Sequence, residues 1–108
     1  MAYEARHRFA RISARKVRPL ADLIRGKLAD EALNILRYQP HRGARMLEKV
    51  LHSAMANAED RRAANLSRLI VVDVRVDQGP MFKRTQPKSR GMASIIQRRM
   101  SHIRVALE

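Results

Sequence analysis

Residues 83–91, KRTQPKSRG, hold four cations, no acid, and no apolar side chain beyond the ring of Pro87. No Asp or Glu occurs from Gln78 to Leu107, so Lys83, Arg84, Lys88, Arg90, Arg98 and Arg99 have no local counter-charge. A second cationic run, Arg6, Arg8, Arg11, Arg15, Lys16 and Arg18, faces the single acid Glu4. Guanidinium forks match phosphate oxygens bidentately and stack on bases, whereas an ammonium is a point charge. Arg far outnumbers Lys here, which points to a structured phosphate partner. Arg37, Arg45, Lys49, Arg61 and Arg62 lie near acids on predicted helices and read as a solvated face.

Other chemistry finds little support. His7, His41, His52 and His102 are scattered, cysteine is absent, and no metal-ligand spacing exists. Ser13 and Asp22 could be drawn into a triad only without the strand–turn–helix signature of a nucleophile elbow, and GKLAD (26–30) is not a phosphate loop. No enzyme, metal or cofactor is expected. The aromatics are Tyr3, Phe9, Tyr38 and Phe82. Tyr3 and Phe9 share an alternation face with Ala5 and are assigned to the core, so recognition is expected to rest on shape and phosphate geometry, as for helical RNA.

The chain has 108 residues and a formal net charge of +13. That length suits one domain, and the charge collects polyanions at some cost in self-repulsion. The 45% hydrophobic content suffices for a packed core. The lack of cysteine fits a reducing compartment. No apolar run approaches a membrane span, the start lacks a signal-peptide core, and the basic segments are not amphipathic helices, so no membrane insertion is expected.

The elements that must position these cations follow from periodicity. Tyr3, Ala5, His7 and Phe9 alternate with Glu4, Arg6 and Arg8, predicting a strand. Ala14, Val17, Leu20, Ala21 and Ile24 predict a helix with Ser13 as N-cap and Gly26 at its end, bent or interrupted near Pro19. Ala29, Ala32, Leu33 and Leu36 predict a second helix stopped by Pro40, and Ala44, Leu47, Leu51, Ala54 and Ala58 a third, the longest. Ile70, Val72, Val74 and Val76 predict a strand with those residues on one face, and Ile103, Val105 and Leu107 another. The order strand, three helices, strand, basic excursion, strand predicts an α+β fold, with three helices on a small antiparallel three-stranded sheet.

The stretches SARKVRPLADLIRGK (13–27), EALNIL (31–36), LEKVLHSAMANAE (47–59), VDQGPMFKR (76–84) and SHIRV (101–105) together resemble the bacterial-type ribosomal protein L-twenty-two family of the large subunit. The resemblance spans nearly the whole chain, in order. It implies one ribosomal-protein domain, residues 1–108. Its globular part is about 1–77 with 101–108, and about 78–100 form a protruding β-hairpin. It implies a structural, non-enzymatic protein of translation and ribosome assembly in the cytoplasm. Its partners would be several domains of large-subunit ribosomal RNA, neighbouring large-subunit proteins, and the nascent polypeptide. The hairpin would line the exit tunnel near the macrolide site. Carried across by position, the RNA-binding residues are Arg11, Ser13, Arg15, Lys16, Arg18, Arg25, Lys27, Lys83, Arg84, Lys88, Arg90, Arg98, Arg99 and His102. The tunnel-lining tip is Lys88, Ser89, Arg90, Gly91, Met92 and Ala93. Each arm would hold about a dozen residues and reach roughly 40 Å. Met92, Ser94, Ile95 and Met100 stand where the family more often has polar or basic residues, which makes the returning arm less cationic. Leu28 stands where a small hydroxyl cap is common. The alternative is a free-standing basic nucleic-acid-binding protein, such as a nucleoid protein or RNA chaperone.

Overall fold

The computed structural model describes residues 2–108. Strand β1 (Tyr3–Ala10) leads into α1 (Ala14–Ile24), α2 (Ala29–Arg37) and α3 (Arg42–Asp60), and a short 3-10 turn at Leu66–Arg68 precedes β2 (Val71–Pro87) and β3 (Ala93–Leu107). The sheet is antiparallel in the order β1-β3-β2. The helices cover one face, so the α+β fold is as expected. The core is built from the predicted helical stripes, with Val17, Ile24, Leu36, Leu47 and Leu51 fully buried against Val71, Val74, Ile103, Val105 and Leu107. Helix α3 crosses this core close to α1: a Cβ on Gly43 would lie 3.2 Å from Leu20 and 3.3 Å from both Ile12 and Val17. Glycine is what lets the start of α3 approach that closely.

Three local expectations change. Helix α1 runs unbroken through Pro19. Proline removes one hydrogen bond, but Pro19 and Arg15, whose carbonyl loses its donor, both face solvent, where water can take the donor's place. Ser13 occupies the N-cap position in extended conformation without a side-chain hydrogen bond; its backbone carbonyl accepts from the Lys16 N–H. Leu28 caps α2 although it has no hydroxyl. The link between α1 and α2 pairs instead with the residues before β2, Leu28 bridging to Ile70, and the Leu69 carbonyl takes the Ala29 N–H at 2.9 Å. A backbone acceptor thereby replaces the missing side-chain cap.

Two corrections come from bulges. The register of β1 against β3 jumps from His7↔Ile103 to Ala10↔Ser101, so β1 carries one extra residue. Phe9, at φ 60°, is thrown outward and Ala10 takes the inward place. Phe9 is 51% exposed, against its assignment to the core. Likewise Val71↔Leu107 is followed by Asp73↔Ala106, leaving Val72 unpaired. Val71, Val74 and Val76 are therefore buried, while Ile70 and Val72 are not. A bulge shifts every later residue to the opposite face, which alternation alone cannot reveal.

Beyond Val76 and before Ser101 nothing is buried. The two arms pair from Gln78↔Ser101 to Pro87↔Ala93, with a further bulge between Gln78 and Met81 that admits Gly79 and Pro80. Arg90 (φ 61°) and Gly91 (φ 71°) both take the left-handed conformation that a tight hairpin reversal requires. The molecule measures 64 × 24 × 17 Å with a radius of gyration of 16.8 Å. A compact chain of this length would have about 13 Å; the arm accounts for the excess.

Candidate nucleic-acid interface

The hairpin root and the start of α1 enclose an open groove of about 1440 Å³. Its cations are Arg11, Arg15 and Lys16 from the turn into α1 and its first turn, Arg42 from α3, Arg84 from β2, and Arg98 and Arg99 from β3; no acid lines it. Two cationic segments some seventy residues apart in sequence thus converge on one concave surface. The Arg42 guanidinium donates to the Arg11 carbonyl and fixes the turn into α1 against the start of α3. Ser13 also lines this groove. Strand alternation puts Phe82, Arg84 and Arg98 on one hairpin face and Lys83, Gln97 and Arg99 on the other; Gln97 and Arg99 still border the groove at its edge, whereas Lys83 does not line it.

The remaining predicted residues lie elsewhere. Arg18 Nε donates to the Val76 carbonyl at 3.2 Å, and Arg25 donates to the Val74 carbonyl at 2.8 Å and to Asp22 at 2.6 Å. Both guanidiniums satisfy the outer backbone edge of β2, which would otherwise offer itself for strand pairing. Lys27 is exposed in the α1–α2 link, its carbonyl accepting the Val71 N–H. Lys88, Ser89, Arg90, Gly91, Met92 and Ala93 are exposed at the tip. His102 lies in a second recess, on the uncovered face of the sheet, with Arg6, Arg8, Arg75, Asp77 and Arg104. Its Nδ1 accepts the Phe9 N–H at 3.0 Å, and its ring meets Phe9 edge-on at 4.9 Å.

That uncovered face is held by ion pairs. Arg6, Arg104 and Arg75 sit directly opposite one another across the three strands, an arrangement of like charges that costs stability unless neutralised. Arg104 binds Glu4 at 2.6 Å and Asp73 at 2.7 Å, and Asp73 also meets Arg75 at 3.0 Å. The hydrogen bond from Arg104 holds the Glu4 carboxyl below the usual carboxylate range, with Arg6 adding to the effect and burial opposing it. Glu4 in turn raises Arg104 above the ordinary arginine value.

Sequence reasoning missed two roles. Arg42 belongs to the groove; the only hint in the sequence is that α3 opens with no acid in its first turn. Arg45, assigned to a solvated face, donates to the carbonyls of Leu36, Arg37 and Gln39 and so closes the C-terminal end of α2. Among the described residues no group of His, Asp and Glu is placed to hold a metal ion, and no helix is long and apolar enough to cross a membrane.

Fold and surface define a small basic α+β module whose concentrated feature is a cationic groove beneath a projecting hairpin. Residues 5–108 match the model of the family "Ribosomal protein L22p/L17e". The chain is 59% identical to large ribosomal subunit protein uL22 of Rhodopirellula baltica, over 97% of this chain and 92% of that protein. It is 50% identical to the proteins of the same name from Caldicellulosiruptor saccharolyticus (94% of this chain, 83% of that one) and Maridesulfovibrio salexigens (94% and 92%). The chain belongs to the ribosomal protein L22p/L17e family, a structural rather than an enzymatic class.

Proposed function

We propose that this chain is a structural constituent of the large ribosomal subunit that binds and organises large-subunit ribosomal RNA through the groove and the hairpin. The observation that carries this is the convergence of Arg11, Arg15 and Lys16 with Arg84, Arg98 and Arg99 on one concave surface without an acid. Phosphates are the partner such a surface fits. Its relatives are named as large-subunit proteins, which sets the ribosomal context. The hairpin extends the contact. It carries Lys83, Arg84, Lys88, Arg90, Arg98 and Arg99 but no buried residue, so its ordering surface has to come from outside the chain. Following the family resemblance, its tip, Lys88 to Ala93, lines the nascent-peptide exit tunnel near the macrolide site, in contact with the nascent chain, while the globular part meets several RNA domains and neighbouring large-subunit proteins.

Hydroxyl-radical footprinting of large-subunit RNA assembled with and without the chain tests this. Protection in several RNA domains, including nucleotides at the tunnel constriction, is expected. Protection confined to one surface helix would remove the tunnel role, and no discrete protection would turn the reading to a general nucleic-acid binder. Deleting Lys83 and Arg84 is expected to alter macrolide response while subunits still assemble.

A further inference from the structure

A surface that only bound phosphates would have no use for an apolar floor, and this groove has one. Between its cations lie Pro19, Leu23, Phe82 and Met100. Leu23 is 45% exposed and Phe82 43% exposed. The Phe82 ring carries the Arg84 guanidinium 5.1 Å from its centroid, and Arg98 is its cross-strand partner. An exposed aromatic paired with one guanidinium, in a groove that also holds aliphatic side chains, is a surface against which an unstacked base can lie flat: the ring and the guanidinium supply stacking planes, and neighbouring cations hold the phosphates on either side. Paired bases in a helix cannot reach such a floor, because their faces are covered.

We infer that the groove seats one unpaired nucleotide of the bound RNA, its base stacked against the Phe82–Arg84 pair and its flanking phosphates held by Arg98 and Arg15. This rests on the RNA-binding reading above and deepens it. It departs from recognition by shape and phosphate alone, and the bulge at Gly79–Pro80 has a part in it. That bulge bends the root of the hairpin, where the Phe82 face overlooks α1.

The test is equilibrium binding of the full chain to purified large-subunit ribosomal RNA across a salt series, for the wild type, Phe82→Leu and Phe82→Trp. Phe82 lies outside the buried core, so none of these changes removes core packing. Loss of one stacked base weakens binding by roughly 5- to 150-fold. Phe82→Leu is expected to show that loss at every salt concentration with the salt dependence unchanged, since no charge is removed, and Phe82→Trp is expected to stay near wild type. In parallel, one unpaired nucleotide should lose its protection from base-specific probes with Phe82→Leu while backbone protections persist. Wild-type affinity in Phe82→Leu would overturn the inference and leave the RNA-binding reading standing. So would a lowered salt slope, because Phe82 would then act by placing Arg84. Base reactivities identical to wild type would also overturn it, and the floor would then suit a neighbouring protein's side chain. No binding by the wild type would remove the RNA-binding reading and this inference together.

Discussion

Neutralising Arg98 and Arg99 gives a number that can be worked from the groove. Arg11, Arg15, Lys16, Arg84, Arg98 and Arg99 line it, and Arg42, the remaining cation, is already engaged by the Arg11 carbonyl. If each of the six meets one phosphate, the groove contributes about −5.4 to the slope of log K against log salt, at roughly −0.9 per contact. Raising KCl from about 50 to about 200 mM then weakens the groove's contribution to binding roughly 1,800-fold. The double variant Arg98→Gln/Arg99→Gln keeps four contacts. The groove's share of the slope becomes about −3.6, and the same salt step costs that share only roughly 150-fold. Filter binding or fluorescence anisotropy with large-subunit RNA reads both slopes, and Arg37→Gln/Arg61→Gln, which alters cations outside the groove, serves as the control. Parallel slopes for the wild type and the groove variant would refute the assignment of these arginines to phosphates. So would an equal fall in the control, which would mean that net charge alone governs binding.

Four further outcomes are expected. The end of α3 forms a Schellman closure, with Arg62 N–H to the Glu59 carbonyl and Ala63 N–H to the Ala58 carbonyl, but Arg62 holds the left-handed position at φ 53°; Arg62→Gly should gain about 0.5–1 kcal/mol and raise the melting temperature by roughly 2–6 °C, and an unchanged temperature would deny the strain. The buried Ser101 hydroxyl has no hydrogen-bond partner, so Ser101→Ala should be neutral or stabilising by up to about 1 kcal/mol in denaturant melts; a clear loss would reveal a partner. The Glu4 carboxyl is held low by Arg104, so its contribution is fully present above the usual carboxylate range and is lost as pH falls through and below that range; the drop in denaturant midpoint from neutral to acid pH should be smaller for Arg104→Gln than for wild type, and equal drops would contradict it. Amides of residues 83–97 should exchange with deuterium much faster than those of 103–107 in the free chain, because no buried side chain supports the arm; equal protection would mean that the arm is stable by itself.

Much of this was legible beforehand. The helical stripes ending at Ile24, Leu36 and Ala58 survive folding because a three-four period records burial directly. The cationic segments are legible for a different reason: the absence of acid from Gln78 to Leu107 is a local fact. What could not be read depends on neighbours distant in sequence. Phe9 and Val72 change face because one extra residue enters a strand, and the residues themselves carry no mark of it. Arg18, Arg25 and Arg45 resemble any other surface arginine until the carbonyls of Val76, Val74 and Leu36 come within reach. The groove is the sharpest case. Both of its cationic walls were visible separately, but their union and its apolar floor exist only once β2 and β3 rise beside α1.

The strand order has a consequence for how the chain comes to be folded. The middle strand of the sheet is the last of the three to be synthesised, and it is the sole strand with which either outer strand pairs. Tyr3 pairs with Leu107, and the Phe9 amide reaches His102 across 93 positions of sequence. Closing so large a loop is slow, and it must precede any sheet energy that rewards it. The helices can collapse on one another early, but β1 waits with its backbone edge unpaired until β3 has left the ribosome that makes it. A nonsense mutation or proteolytic cut near residue 100 would therefore not trim the molecule. It would leave two orphan edges and an open core, a species fit for degradation rather than for assembly.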